Sequence, residues 1–249
     1  KNPTEMAVGV LDDAGVDSSS YEIVDCMYDK DSGVAAIAVY DKFTEETYIS
    51  YAGTNYKADG HKDIIVDAAI GINDSLYLKK KNKPALDFYD RVEAKGNYIT
   101  TTTGHSYGEF HSGRVALERQ VPYNFGYQGA PQSVNGKTAQ QMIKDGDSKL
   151  FNEILVNKDF DHFKTMVEVK TNQTGLSMPS DKVLKQYWTY FSSLKNISPE
   201  MLKSSEKEAK RIEELRKNYK GQSITFSSTR DVLTNLVWNQ NKLEIQFEG

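Results

Sequence analysis

Residues 104–108 read Gly-His-Ser-Tyr-Gly, a G-x-S-x-G. A serine hydroxyl becomes a useful nucleophile when a tight strand-to-helix turn lifts it clear of its surroundings. Such a turn crowds the backbone, so the residues on either side of it must lack a Cβ. It also places the next backbone N–H at a helix N-terminus, where it stabilises an oxyanion as it develops. The chemistry implied is acyl transfer through Ser106. The bland reading is a glycine-rich connection with an incidental serine, and context disfavours it. Residues 98–103 (Tyr-Ile-Thr-Thr-Thr-Thr) are rich in β-formers, and residues 108–120 return to a helical pattern.

The flanking elements give an α/β chain. Residues 33–40 suit a buried strand, and residues 46–52 a second strand paired to it through a turn at 41–45. Pro84 is expected to open a helix over 83–95, and residues 123–127 form a further candidate strand. This alternation predicts a mostly parallel sheet flanked by helices. From about residue 135 to 219 the texture becomes helical and increasingly charged, with an aromatic concentration at 181–194 and a helix opened by Ser-Pro-Glu at 198. Strand patterns return at 223–226 and 243–247. The expected organisation is a single domain, 1–249, with a lid-like helical insertion at 139–221 before the last core strands. The lysine run at 79, 80, 81 and 83 reads as a solvated loop, with contact to anionic lipid as the minor alternative.

Composition narrows the function classes. The chain has 249 residues, 38% hydrophobic and 27% charged, which is ample for a core. Its 31 Lys+Arg against 35 Asp+Glu give a net charge of −4, which argues against a nucleic-acid partner. No apolar run reaches the length of a membrane span. A single cysteine, Cys26, excludes an internal disulfide framework and a CxxC-type zinc site. No metal site is expected.

Three further stretches extend the pattern around Ser106. Residues 49–54 read Ile-Ser-Tyr-Ala-Gly-Thr, residues 63–67 read Asp-Ile-Ile-Val-Asp, and residues 125–131 read Phe-Gly-Tyr-Gln-Gly-Ala-Pro. Together with the serine motif they resemble the class 3 lipases of the α/β-hydrolase fold. In that family an Arg-Gly-Thr or Arg-Gly-Ser turn is followed by Asp-x-x-x-Asp, then G-H-S-x-G, then Phe-Gly-x-Pro. Ala52 stands where the family has arginine, and the last turn is slightly expanded. The resemblance covers residues 33–131 and resumes near 223. It implies Ser106 as nucleophile and the N–H groups of Tyr107 and Thr54 as the oxyanion hole. The chain order Ser, Asp, His then places the acid after the 223–226 strand, at Asp231. The bland alternatives are a strand-end threonine for Thr54 and a turn or N-cap residue for Asp231. The resemblance further implies a lipid ester substrate, a glycerolipid or phospholipid, with no metal or organic cofactor. A secreted bacterial protein fits the family's habits; a cytoplasmic one is the alternative.

The base is the open question. The four histidines are His61, His105, His111 and His162, and none follows Asp231. Ranked in order, the explanations are a catalytic histidine beyond residue 249, a relocated base at His61 or His162, and an inactive relative that binds lipid or protein. A small-molecule esterase or thioesterase is a further rival. Within the helical insertion, residues 187–191 either line an acyl pocket, contact a membrane surface, or pack the insertion onto the core. The charged helix after residue 198 reads as a solvated face, or as the contact for a protein partner.

Overall fold

Successive strands hydrogen-bond to one another in chain order, forming a seven-stranded sheet among the described residues. The strands are β1 (Tyr21–Tyr28), β2 (Ala35–Asp41), β3 (Glu46–Tyr51), β4 (Ile99–His105), β5 (Tyr123–Tyr127), β6 (Gln222–Ser228) and β7 (Glu244–Phe247). The computed structural model describes residues 3–53, 74–127, 136–145, 159–174, 178–195, 197–228 and 244–247. β1, β2 and β3 form an antiparallel meander, whereas every pairing from β3 to β7 is parallel. The expected α/β class with a mostly parallel sheet is what the chain adopts. The strand at residues 21–28 was not expected, because its mixed Tyr-Glu-Ile-Val-Asp-Cys-Met-Tyr pattern follows neither clean alternation nor a continuous apolar run.

Helix α1 (Pro3–Asp13) packs near β1. Helix α2 (Ser75–Glu93) precedes β4, α3 (Tyr107–Arg119) joins β4 to β5, and α7 (Pro199–Asn218) leads into β6. Crossovers that always step to the next strand in the same direction, each of the usual right hand, bring their helices to one face. Accordingly α2, α3 and α7 touch one another. Beneath them lie Ala36 and Ala38 of β2, Ile49 and Tyr51 of β3, and Ala85, Phe88 and Val92 of α2, all buried. The Tyr51 hydroxyl ties the sheet to α2 by donating to the Ala85 carbonyl at 3.0 Å.

α2 begins nine residues before Pro84, which sits inside it. The start is set by Asp74, whose carboxylate accepts the Tyr77 N–H at 3.3 Å. Proline removes one backbone hydrogen bond within the helix, a loss offset by the burial of Ala85, Phe88 and Val92 just beyond it. The lysine run therefore lies on a helix rather than a loop. Lys79 pairs with Glu208 at 3.0 Å, and Lys81 donates to the Asp31 carbonyl at 2.9 Å.

The charged face of α7 is likewise not simply solvated. Ser198 caps the helix through Met201 N–H, and Ser205, Glu208, Ala209 and Ile212 are buried. Arg211 holds Glu118 of α3 through both terminal guanidinium nitrogens and reaches Glu208 at 2.7 Å. Hydrogen bonds from Arg211 and Lys79 outweigh desolvation and hold the Glu208 carboxyl below its ordinary value. Earlier in the same connection, α4 (Ala139–Asp145), α5 (Phe160–Thr174) and α6 (Asp181–Lys195) share a separate apolar cluster of Ala139, Phe163, Leu184 and Leu194. Trp188 closes it with its ring centroid 5.6 Å from that of Phe163.

Arg211→Ala strips the cation from between two carboxylates, one of them buried. Urea unfolding at neutral pH is expected to show a loss of about 1 kcal/mol, since Lys79 still meets Glu208. Part of that loss disappears as pH falls below the ordinary glutamate range, because a carboxyl with a lowered folded pKa stabilises only where it is ionised.

Candidate active site

Ser106 stands between the end of β4 and the first residue of α3, with φ 55° and ψ −121°. A side chain at that φ is sterically disfavoured. Backbone hydrogen bonds hold it there. The Ser106 N–H donates to the Tyr127 carbonyl on β5 at 2.8 Å, and the Ser106 carbonyl accepts from Glu109 N–H at 3.0 Å.

The glycines show why the turn needs them. A Cβ on Gly104 would lie 2.5 Å from the backbone nitrogen of Glu109, one on Gly108 2.7 Å from the Ala52 carbonyl group, and one on Gly53 2.7 Å from the His105 carbonyl oxygen. Such distances do not occur for real Cβ atoms, so the ends of β3 and β4 and the first turn of α3 pack backbone against backbone. The same approach brings residue 53, immediately before Thr54, beside the serine turn. Thr54 itself lies outside the described residues, as does Asp231. The strand that precedes Asp231 is described: β6 runs parallel to β5, with Phe226 in register with Tyr127, so it ends on the same edge of the sheet as Ser106.

Tyr107 is fixed by burial and by its hydroxyl, which donates to the Ser32 carbonyl in the β1–β2 turn at 3.1 Å. Its backbone N–H belongs to the first turn of α3, where N–H groups point out along the helix axis and carry the positive end of the dipole.

Among known proteins, no family model and no curated protein matches the chain.

The histidines divide sharply. His111 is wholly buried, with Nδ1 2.7 Å from Asn82 Oδ1 and the rings of Tyr107 and Phe110 edge-on at 4.3 and 5.5 Å. An amide oxygen only accepts, so Nδ1 carries the proton in this arrangement. Burial, followed by the positive charges of Arg114 and Lys81, pushes its pKa down to about 3. His111 is therefore a neutral core group. His105 is exposed at the end of β4, and His162 is exposed in the first turn of α5. His61 lies outside the described residues. Among the described residues, no group of three or more His, Cys, Asp or Glu is placed to hold a metal ion. Nor is any helix there long and apolar enough to cross a membrane.

Three contacts beside the turn join residues far apart in the sequence. Tyr127, 47% exposed, stacks on Phe226 with centroids 5.2 Å apart and planes at 17°. Glu109 is buried one turn past the nucleophile and accepts a hydrogen bond from Thr225. Tyr190 of α6 donates to Asp74 at 2.8 Å and packs against Tyr77 beside the cluster of Leu78, Tyr107 and Phe110. Burial raises both the Asp74 carboxyl and the Tyr190 hydroxyl above their ordinary values. Trp188 thus packs within the helical segment, and Tyr190 joins that segment to the start of α2.

Two measurements test this geometry. Ser106→Gly relieves the positive φ and is expected to raise unfolding stability by about 1 kcal/mol. His111→Gln is expected to flatten the dependence of stability on pH between 6.5 and 3. In that window the unfolded histidine binds a proton that the folded one refuses, so the parent loses up to about 1.4 kcal/mol per pH unit on acidification. Denaturant midpoints across the range read the slope directly.

Proposed function

We propose that the chain is a serine ester hydrolase of the α/β-hydrolase fold, acting on acyl esters of lipids. The observation that supports it most is the backbone of Ser106: a serine at positive φ between a parallel strand and a helix, enclosed by Gly104 and Gly108. In this reading the Ser106 hydroxyl attacks the ester carbonyl, and the Tyr107 N–H at the head of α3 receives the oxyanion with the N–H of Thr54. The alcohol leaves on a proton taken from Ser106, and water then resolves the acyl-enzyme. The acid is Asp231, carried by the segment after β6. The reaction needs a base, and its burial removes His111 from the candidates. The lipid substrate and the contact with a membrane surface that it requires rest on the resemblance to class 3 lipases alone.

The test is hydrolysis of p-nitrophenyl esters of increasing acyl length, together with labelling by a fluorophosphonate. Both should occur in the parent, with rates rising toward longer chains. In Ser106→Ala labelling should vanish and kcat/KM should fall by about 10³-fold or more. A folded parent that neither hydrolyses nor labels sinks the proposal in favour of a binding protein.

A further inference from the structure

Glu109 lies three residues past Ser106 on the side of α3 that meets the sheet, and it is only 3% exposed. Opposite it, β5 has no side chain: a Cβ on Gly126 would lie 2.5 Å from Glu109 Oε1 and 2.7 Å from its Cδ. One strand further on, the buried Thr225 of β6 donates its hydroxyl to the same Oε1 at 3.2 Å. A carboxyl is an expensive group to bury, and an apolar side chain would fill a helix–sheet interface without that cost. Here the strand between has given up its side chain to let the carboxyl pass, and the strand beyond supplies a hydroxyl to receive it. The three residues form a crossbar from the nucleophile helix, across β5, to β6.

We propose that Glu109 is a positioning residue that fixes the carboxyl end of β6 against the Ser106 turn through Thr225. The inference rests on the hydrolase reading for its catalytic consequence and on geometry alone for the crossbar. β6 ends at Ser228, three residues before Asp231. Reacting groups misplaced by about 1 Å lose rate without losing substrate binding.

The experiment compares Thr225→Val, Thr225→Ser and Glu109→Asp with the parent, reading ester hydrolysis and amide hydrogen exchange over residues 226–228. Thr225→Val keeps the shape and removes the donor. Its kcat is expected to fall about 10- to 100-fold at a KM unchanged within about twofold, with faster exchange at 226–228. Thr225→Ser restores the donor and should recover most of both. Glu109→Asp retracts the carboxyl by one methylene and should reproduce the Thr225→Val result, which decides the matter if the valine variant does not fold. A folded Thr225→Val, or failing that Glu109→Asp, with parental kcat and parental exchange overturns the proposal. If the parent itself hydrolyses no ester, the hydrolase reading falls separately, and exchange at 226–228 alone decides whether the crossbar exists.

Discussion

The closeness of three pieces of backbone organises this molecule. Gly108 at the head of α3 lies against the carbonyl groups of Tyr51 and Ala52, Gly104 lies against Gly108, and Gly53 lies against His105. With no side chain between them, the first turn of α3 is driven down onto the ends of β3 and β4. The turn that joins β4 to α3 is then too tight for an ordinary conformation at Ser106, so positive φ is a consequence of this approach.

The depth of α3 has its own consequences. Every residue from Tyr107 to Leu117 is buried, including Glu109, His111, Ser112 and Arg114. A helix buried all round normally carries apolar residues on every face, so the polar groups here draw on neighbours, with His111 Nε2 left without a hydrogen-bond partner among the described residues. The Thr102 hydroxyl lies 3.1 Å from both the Ser112 carbonyl and Asn124 Oδ1, His111 is met by Asn82 of α2, and Arg114 lies 5.4 Å from the Phe110 ring. The carboxylates of Glu118 and Glu208 favour the charged form of Arg114, although burial still pulls its pKa down to about 10. Meeting these demands fixes the neighbours in turn. α2 must place Asn82 and Lys79, and α7 must place Glu208 and Arg211. The helices that cover the sheet are thereby bound to the one that carries the serine.

What could be read from the sequence follows the same division. Local signals were sufficient for the β2–β3 hairpin, for β5, for the strand and helix around Ser106 and for the Ser198 cap, because each depends on residues adjacent in the chain. Signals that depend on distant partners were not legible. Pro84 looked like a helix start because proline favours that position, while Asp74, ten residues earlier, holds the actual cap. Lys79, Glu208 and Arg211 looked like solvated charges, because nothing local shows that α2 and α7 meet. Nothing adjacent to Glu109 in the chain marks it out; only the sheet reveals Thr225 and Gly126 beneath it. Thr54 and Asp231 fall outside the described residues, so the sequence remains the sole argument for them.

The strain at Ser106 differs in kind from the other positive φ values at non-glycine residues among the described residues. Gln120 (φ 53°, ψ 43°) is a left-handed helix cap at the end of α3, and Glu45 (φ 61°) sits in the β2–β3 turn. Both are places where chains commonly reverse, and the left-handed well tolerates a side chain at modest cost. Ser106, at ψ −121°, lies outside that well. Glycine would occupy the position more cheaply, and the chain already places glycine at 104 and 108, two residues to either side. A chain that supplies glycine wherever the turn is crowded, yet keeps a hydroxyl at its most strained residue, is best understood if that hydroxyl is what the turn presents. The strain is then the cost of holding Ser106 out from the sheet, and the buried network around α3 supplies the rigidity that sustains it.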